Sequence, residues 1–187
     1  SLGDGLPDQP CAAITFDDGF RSVHVHAWSL LRTARMPATL FLTTDAIGNK
    51  GLIWTHELNG FLQHHPAAAR PIIARHLGHE QCPGVRDVIR LLVDQFDPER
   101  IERLLGDLRQ ACGVDPGALA REFRLYCDWQ ELTEMADVMR FGHQTASHLP
   151  LAGLPIRRCR EQIRDGAHQL RHLPPSRCFA SPFDRHD

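Results

Sequence analysis

Residues 11–19 read CAAITFDDG, an apolar run of strand length that ends in a charged turn. A pattern typical of a helix follows over residues 23–34, and a second buried strand, ATLFLT, is predicted at residues 38–43. A strand, a helix and a strand at this spacing form a βαβ unit, in which the two strands run parallel. The first part of the chain therefore predicts an α/β fold with a parallel sheet.

The same kind of pattern returns after residue 127. Asp128 and Glu131 have the spacing of a capping box at a helix start, and a short strand is predicted at residues 140–142. An amphipathic helix over residues 156–170 and a last strand at residues 177–181 follow. About four βα units result, roughly half of an eight-unit barrel. Because a half barrel leaves sheet edges open, we expect a partner or a further segment of chain to cover that edge.

The middle of the chain, about residues 53–125, is predicted to be a helical insertion within a single domain that covers residues 1–187. Asp97 and Pro98 are typical of a helix cap and first turn, and apolar residues at helical spacing follow them. Several histidines of this stretch lie on polar faces and are interpreted as solvated surface: His64, His65, His76 and His79.

Composition excludes some classes of function. The chain has 187 residues and a formal net charge of −2, which gives no electrostatic basis for binding nucleic acid. No stretch approaches the ~20 apolar residues of a membrane span. The six cysteines are spread singly without a C-x-x-C pair, a distribution that favours reduced thiols and a cytoplasmic location and leaves a secreted protein as the alternative.

Polar clusters follow two of the predicted strands, at Asp17-Asp18 and at His143 to His148. The carboxyl ends of parallel strands lie on one face, so the two clusters can converge. Adjacent carboxylates repel each other unless a cation or a proton lies between them, and histidine is a frequent ligand of zinc. The residues alone also fit a simpler interpretation without a metal or catalysis: Asp17-Asp18 is an ordinary turn, and the histidines from His143 to His148 are polar loop residues.

Several motifs, in the right order over nearly the whole chain, resemble those of the polysaccharide deacetylases, the group related to the chitooligosaccharide deacetylases. The matching segments are residues 15–19 (TFDDG), 38–42 (ATLFL), 52–54 (LIW), 129–132 (WQEL), 141–148 (FGHQTASH) and 179–184 (FASPFD).

The resemblance implies a distorted (β/α) barrel with a divalent metal, zinc or cobalt, that removes acetyl groups from N-acetylated or O-acetylated sugars of a polysaccharide or glycolipid. It implies that Asp17 is the general base and that Asp18 and His148 are metal ligands. Pro182 and Phe183 would form a wall of the sugar groove. Lewis-acid polarisation of the acetyl carbonyl is the chemistry expected of the metal.

The chain departs from the family pattern at the residue four places before His148, where the family has a metal-binding histidine and this sequence has Gln144. Glutamine is a poor zinc ligand, so we expect one of three outcomes. Either His143 turns into the site as a ligand, or the metal keeps two protein ligands, or no catalytic metal binds. The alternatives to an enzyme of this family are a catalytically impaired relative that acts as a carbohydrate-binding or scaffold protein, and an unrelated hydrolase of small amides.

Overall fold

The computed structural model describes residues 12–95 and 97–184. Within these residues four strands form one parallel sheet in the order β1-β2-β3-β4. The strands are β1 (Thr15–Phe16), β2 (Ala38–Leu42), β3 (Met139–His143) and β4 (Pro175–Phe179). The predicted α/β fold is therefore confirmed, and the sheet with its surrounding helices has the form of a partial (β/α) barrel.

Helices connect the strands throughout the described part of the chain. A π-helical segment, Val23–Ala27, runs directly into α1 (Trp28–Ala34) between β1 and β2. Helix α7 (Trp129–Glu134) precedes β3, and α8 (Ile156–Gln169) connects β3 to β4. The stretch between β2 and α7 contains α2 (Trp54–His64), α3 (Pro66–Leu77), α4 (Val85–Asp94), α5 (Pro98–Cys112) and α6 (Pro116–Phe123).

Two of these helices begin at the caps that the sequence predicts. The side chain of Asp97 accepts hydrogen bonds from the backbone N–H groups of Glu99 and Arg100, and Pro98 occupies the first turn of α5. At α7, Asp128 accepts from the N–H of Glu131 while the Glu131 carboxylate accepts from the N–H of Asp128. These contacts satisfy amide groups that have no partner within the helix, which fixes where each helix starts.

The centre of the sheet is apolar and closely paired. Leu40 lies opposite Phe141, and both Leu40 and Leu42 are fully buried. Burial of each such side chain contributes roughly 1.5–3 kcal/mol. Because all four strands are parallel, their carboxyl ends meet at one edge, and the loops after β1 and β3 both lie at that edge, on either side of β2.

The helices between β2 and α7 have an apolar core of their own, which includes Leu58, Leu104 and Leu108. Beside it, Arg109 of α5 donates two hydrogen bonds to Glu57 of α2, at 2.7 and 2.9 Å, and Glu57 is only 3% exposed. Burial raises the pKa of the Glu57 carboxyl, and the Arg109 guanidinium opposes that rise. The pair fixes α2 against α5.

The observed strand bounds differ from the predicted ones, by no more than one residue at either end for β2 and β3 and by more for β1 and β4. Strand β1 begins at Thr15, later than the predicted residues 11–16, and Cys11 lies outside the described residues. Strand β4 covers Pro175–Phe179, two residues earlier than predicted. Proline usually indicates a turn, but it is tolerated at the first position of an edge strand, where its missing N–H costs no ladder hydrogen bond.

No helix in the described residues is both long and apolar enough to span a membrane.

Candidate functional site

The loop after β1 turns sharply and presents two carboxylates. Asp18 and Gly19 both have a left-handed backbone, with φ of 65° and 80°. A Cβ on Gly19 would lie 2.7 Å from the Leu42 side chain, so only glycine fits this turn against β2. The turn leaves Asp17 exposed to solvent and Asp18 half-buried beneath it.

The loop after β3 carries His148, which is 7% exposed and also has a left-handed backbone, with φ of 58°. Its backbone N–H donates to the hydroxyl of Thr145 at 3.0 Å. The next residue toward β3, Ser147, donates both its N–H and its hydroxyl to Gln162 of α8 at 2.9 Å. These bonds hold the histidine in an otherwise unfavourable conformation, which is a common feature of functional sites.

The structure brings Asp18 and His148 together, as the sequence predicts for the two loops. Nε2 of His148 lies 3.2 Å from Oδ1 of Asp18. The two atoms are close but do not form a hydrogen bond, since this buried carboxylate oxygen has no hydrogen-bond partner among the described residues. A buried polar atom without such a partner is costly, and an ion or water at this point would satisfy it.

A third side chain at the carboxylate, His56, comes from the first helix of the insertion, α2. Its Nε2 lies 3.5 Å from the other carboxylate oxygen of Asp18, Oδ2. Asp18 is therefore flanked by two imidazoles, one from the sheet edge and one from the helix.

Tyr126 fixes the orientation of His56. The phenol oxygen lies 2.7 Å from Nδ1 of His56 and accepts a hydrogen bond from the N–H of Ile53 at 3.1 Å. Burial raises the pKa of the Tyr126 phenol above its usual range, so the group stays protonated. Asn49 pairs with both backbone groups of Tyr126, at 2.8 and 2.9 Å, and holds that residue in place.

Trp54 and Phe183 form an aromatic side of the site. The indole N–H of Trp54 donates to the backbone carbonyl of His148 at 3.0 Å. The ring of Phe183 meets the His148 imidazole edge-on, with centroids 4.9 Å apart, and lies 5.7 Å from the Trp54 ring. Pro182 is buried directly before it. The structure thus places Phe183, to which the family resemblance assigns a groove wall, against His148.

The environment of His148 favours the neutral imidazole. Burial is the main reason that its pKa lies below the usual value, the nearby His56 lowers it further, and the Asp18 carboxylate raises it. A neutral imidazole has a free ring nitrogen, and metal coordination requires that form.

His143 is not brought to Asp18 or His148. Its ring packs against Phe179, with centroids 4.9 Å apart, and its Nδ1 lies 2.9 Å from where a Cβ on Gly166 of α8 would be. Side chains alternate along a strand, so the next residue, Gln144, faces the opposite side. Its side-chain oxygen accepts the N–H of Asp18 at 3.3 Å. The expected turn of His143 into the site is absent from this arrangement of the described residues.

The cluster meets some requirements of a metal centre. Ligand atoms of a tetrahedral zinc site with bonds of ~2.0–2.1 Å lie about 3.3 Å apart, close to the separations of 3.2 and 3.5 Å around Asp18. No group of three histidine, cysteine or acidic side chains in the described chain is already arranged to hold a metal. The two imidazoles contact different oxygens of the carboxylate, so side chains would have to rotate for all three to reach one ion.

Comparison with known proteins identifies the family. A sequence model of the polysaccharide deacetylase family matches residues 4–185, nearly the whole chain. The chain belongs to the polysaccharide deacetylase family.

Two of the proteins that this chain resembles are longer than the chain, and the matches span only part of their length. It is 33% identical over 61 residues to the Bacillus subtilis (strain 168) protein named "Putative polysaccharide deacetylase YxkH", a match that covers 33% of this chain and 22% of that protein. Among solved structures it resembles the Streptococcus pyogenes deacetylase PplD in complex with acetate, with a TM-score of 0.53 and 13% identity. That likeness covers all of this chain and 52% of the PplD chain, and it shows a shared fold.

The sequence interpretation missed His56 and Tyr126. Both lie in or beside the stretch interpreted as a helical insertion with a solvated polar surface. A signal was present, because the motif match at residues 52–54 ends at Trp54, two residues before His56. That match indicated that the start of the insertion belongs to the functional part of the fold.

Proposed function

We propose that this domain is a metal-dependent deacetylase that hydrolyses the acetyl group of an N-acetylated or O-acetylated sugar in a polysaccharide or glycolipid. The observation that carries the proposal is the contact between Asp18 and His148 at the carboxyl edge of the sheet. Membership of the polysaccharide deacetylase family supports the same chemistry.

Asp18 and His148 are the residues that would hold a divalent metal, zinc or cobalt. When bound, the metal would polarise the acetyl carbonyl as a Lewis acid. The lowered pKa of His148 keeps its imidazole available as a ligand near neutral pH, and the buried Oδ1 of Asp18 offers a second ligand atom.

Asp17 is the proposed general base. It is exposed to solvent and directly precedes Asp18 in the chain, so it lies beside the proposed metal site. Asp17 takes a proton as the water oxygen adds to the acetyl carbon. The carbon–nitrogen bond then breaks to release acetate, and the proton returns to the departing amine. In an O-acetylated sugar the same steps release an alcohol.

The sugar would lie along the sheet edge beside these residues. A cleft of about 220 Å³ is lined by Thr43, Lys50, Ile53 and Ser147, among others, and reaches the neighbours of both Trp54 and His148. Its polar and apolar lining suits a sugar, which has hydroxyl groups and apolar ring faces. Phe183 would border the acetyl group on the other side.

Acetate release tests the proposal. The protein loaded with stoichiometric zinc or cobalt is incubated with acetylated chitooligosaccharides and other acetylated sugars, and acetate is measured for wild type, Asp17→Asn and the control Asp87→Asn. Loss of a general base lowers the rate by roughly 10²–10⁴-fold, so we expect Asp17→Asn to be nearly inactive and Asp87→Asn to match wild type. An inactive metal-loaded wild type on every acetylated sugar would refute the proposal.

One observation favours a second function, that of a carbohydrate-binding protein without catalysis. Gln144 stands where the family has a histidine, and its oxygen already accepts the Asp18 amide. Acetylated oligosaccharide that binds to the protein without release of acetate would support this function against the first.

A further inference from the structure

We propose that His56, supplied by the first helix of the insertion, is the third protein ligand of the metal and takes over the role that Gln144 cannot fill. The inference rests on the proposed function to the extent that a divalent metal binds at Asp18 and His148. It assigns a role to a residue outside the strand-end loops on which the sequence motifs lie.

The positions of the candidate ligands carry the inference. Nε2 of His56 and Nε2 of His148 lie at the two oxygens of one carboxylate, at 3.5 and 3.2 Å. Both distances are near the ~3.3 Å that separates ligand atoms around tetrahedral zinc. Among the described residues His56 and His148 are the imidazoles that contact Asp18, because His143 packs away from it against Phe179.

The side chain of Gln144 already makes a hydrogen bond within the site. Its carbonyl oxygen accepts the backbone N–H of Asp18 at 3.3 Å, and the side chain is 7% exposed. It therefore stabilises the turn that presents the carboxylate. An imidazole is also a stronger zinc ligand than an amide oxygen, so the third ligand position is assigned to His56, whose Nε2 lies 3.5 Å from Oδ2 of Asp18.

Tyr126 prepares His56 for coordination. A histidine that binds metal through Nε2 carries its proton on Nδ1 and donates it to a neighbouring acceptor. The phenol oxygen of Tyr126 lies 2.7 Å from Nδ1 and is buried and fixed by Asn49. The oxygen has two lone pairs, so it can accept from His56 while it accepts from Ile53. Tyr126 is thus a positioning residue that acts through His56.

The site and the insertion would then be coupled. His56 lies on α2, and the neighbouring Glu57 joins that helix to α5 through Arg109. Metal bound at Asp18, His148 and His56 would connect the sheet edge to the insertion, so binding should stabilise α2 together with the barrel.

Metal affinity of the full chain, measured without any sugar, tests the inference. Zinc and cobalt are titrated in competition with a chromophoric chelator into wild type, His56→Ala, Tyr126→Phe, His143→Ala and the exposed control His79→Ala. We expect at least a tenfold loss of affinity for His56→Ala and roughly 10–100-fold for the positioning residue Tyr126. His143→Ala and His79→Ala should stay within about twofold of wild type, by the usual effect of removing a group that does not touch the metal.

A ligand exchange distinguishes coordination from a structural role. Cobalt bound to His56→Cys should show a sulfur-to-metal charge-transfer band, because thiolate is a good ligand for this class of metal, and zinc affinity should recover relative to His56→Ala. Affinity of His56→Ala within twofold of wild type, absence of the band, or an equal loss in His143→Ala would overturn the inference.

The outcomes separate this inference from the proposed function. A wild type that binds zinc through His56 but releases no acetate refutes the function and keeps the ligand. Full metal affinity and acetate release in His56→Ala refute the ligand and keep the function.

Discussion

Substitution of Tyr126 by phenylalanine removes one oxygen atom from the buried side of the site. Tyr126 is 1% exposed, and its hydroxyl joins the N–H of Ile53 to the ring of His56. The phenylalanine ring fills nearly the same volume, so the change isolates the two hydrogen bonds from the packing of the insertion core.

The magnitude follows from what each partner loses. The Ile53 amide is buried and would have no other partner among the residues that the structure describes, a cost of about 1–3 kcal/mol. His56 is partly exposed, so water can replace the lost bond there at little cost. We therefore expect Tyr126→Phe to lower the free energy of unfolding by about 2 kcal/mol, which corresponds to roughly 4–8 °C in Tm for a chain of this size.

Urea denaturation at constant m-value measures the effect, with Thr133→Ala as the matched control. The Thr133 hydroxyl also donates one hydrogen bond, to the Trp129 carbonyl at 2.8 Å, but on an exposed helix face. That change should stay within about 0.5 kcal/mol of wild type. If Tyr126→Phe costs no more than Thr133→Ala, the buried bridge between the insertion and the site does not exist as described.

Two further predictions concern the sheet and the pH dependence of stability. A Cβ on Gly142 would lie 2.7 Å from the Phe41 ring and 2.8 Å from the Cys178 carbonyl, so Gly142→Ala should cost about 1–3 kcal/mol in urea denaturation. Gly106→Ala, in α5 with nothing within 4 Å of the added Cβ, should instead gain about 0.5–1 kcal/mol, and equal changes in the two variants would contradict the packing of β3. Burial lowers the pKa of His148, so the unfolded chain binds more protons than the folded chain below about pH 6.5. The contribution of His148 to the free energy of unfolding is therefore complete above about pH 6.5. It decreases as the pH falls from about 6.5 through the lowered pKa of His148, by at most about 1.4 kcal/mol per pH unit. Chemical denaturation between pH 5 and pH 8 checks this, and an equally steep profile for His148→Gln would contradict it.

The sheet could be predicted from the sequence because its signals are local. The runs ending at Phe16 and Leu42 are apolar and of strand length, and the βαβ spacing determines that they pair in parallel. The caps at Asp97 and Asp128 are equally local, since each side chain bonds to amides within three residues of itself. Strand β4 was displaced by two residues because proline at an edge position resembles a turn in sequence.

The site could be predicted only in part, because its third side chain depends on tertiary packing. Asp18 and His148 follow strands, so parallel geometry brings them to one edge. His56 lies on a helix, and its approach to Asp18 depends on where α2 packs, which no local pattern specifies. The orientation of His143 depends on the alternation of side chains along β3, and a shift of one residue there reverses the face.

Crystals of the full chain, soaked in zinc and measured at the zinc absorption edge, would show whether Asp18, His148 and His56 bind one ion. We predict an anomalous peak at about 2.0–2.2 Å from a carboxylate oxygen of Asp18 and from Nε2 of both histidines. A peak coordinated by His143, or no peak at Asp18 in crystals that bind zinc elsewhere, would contradict it.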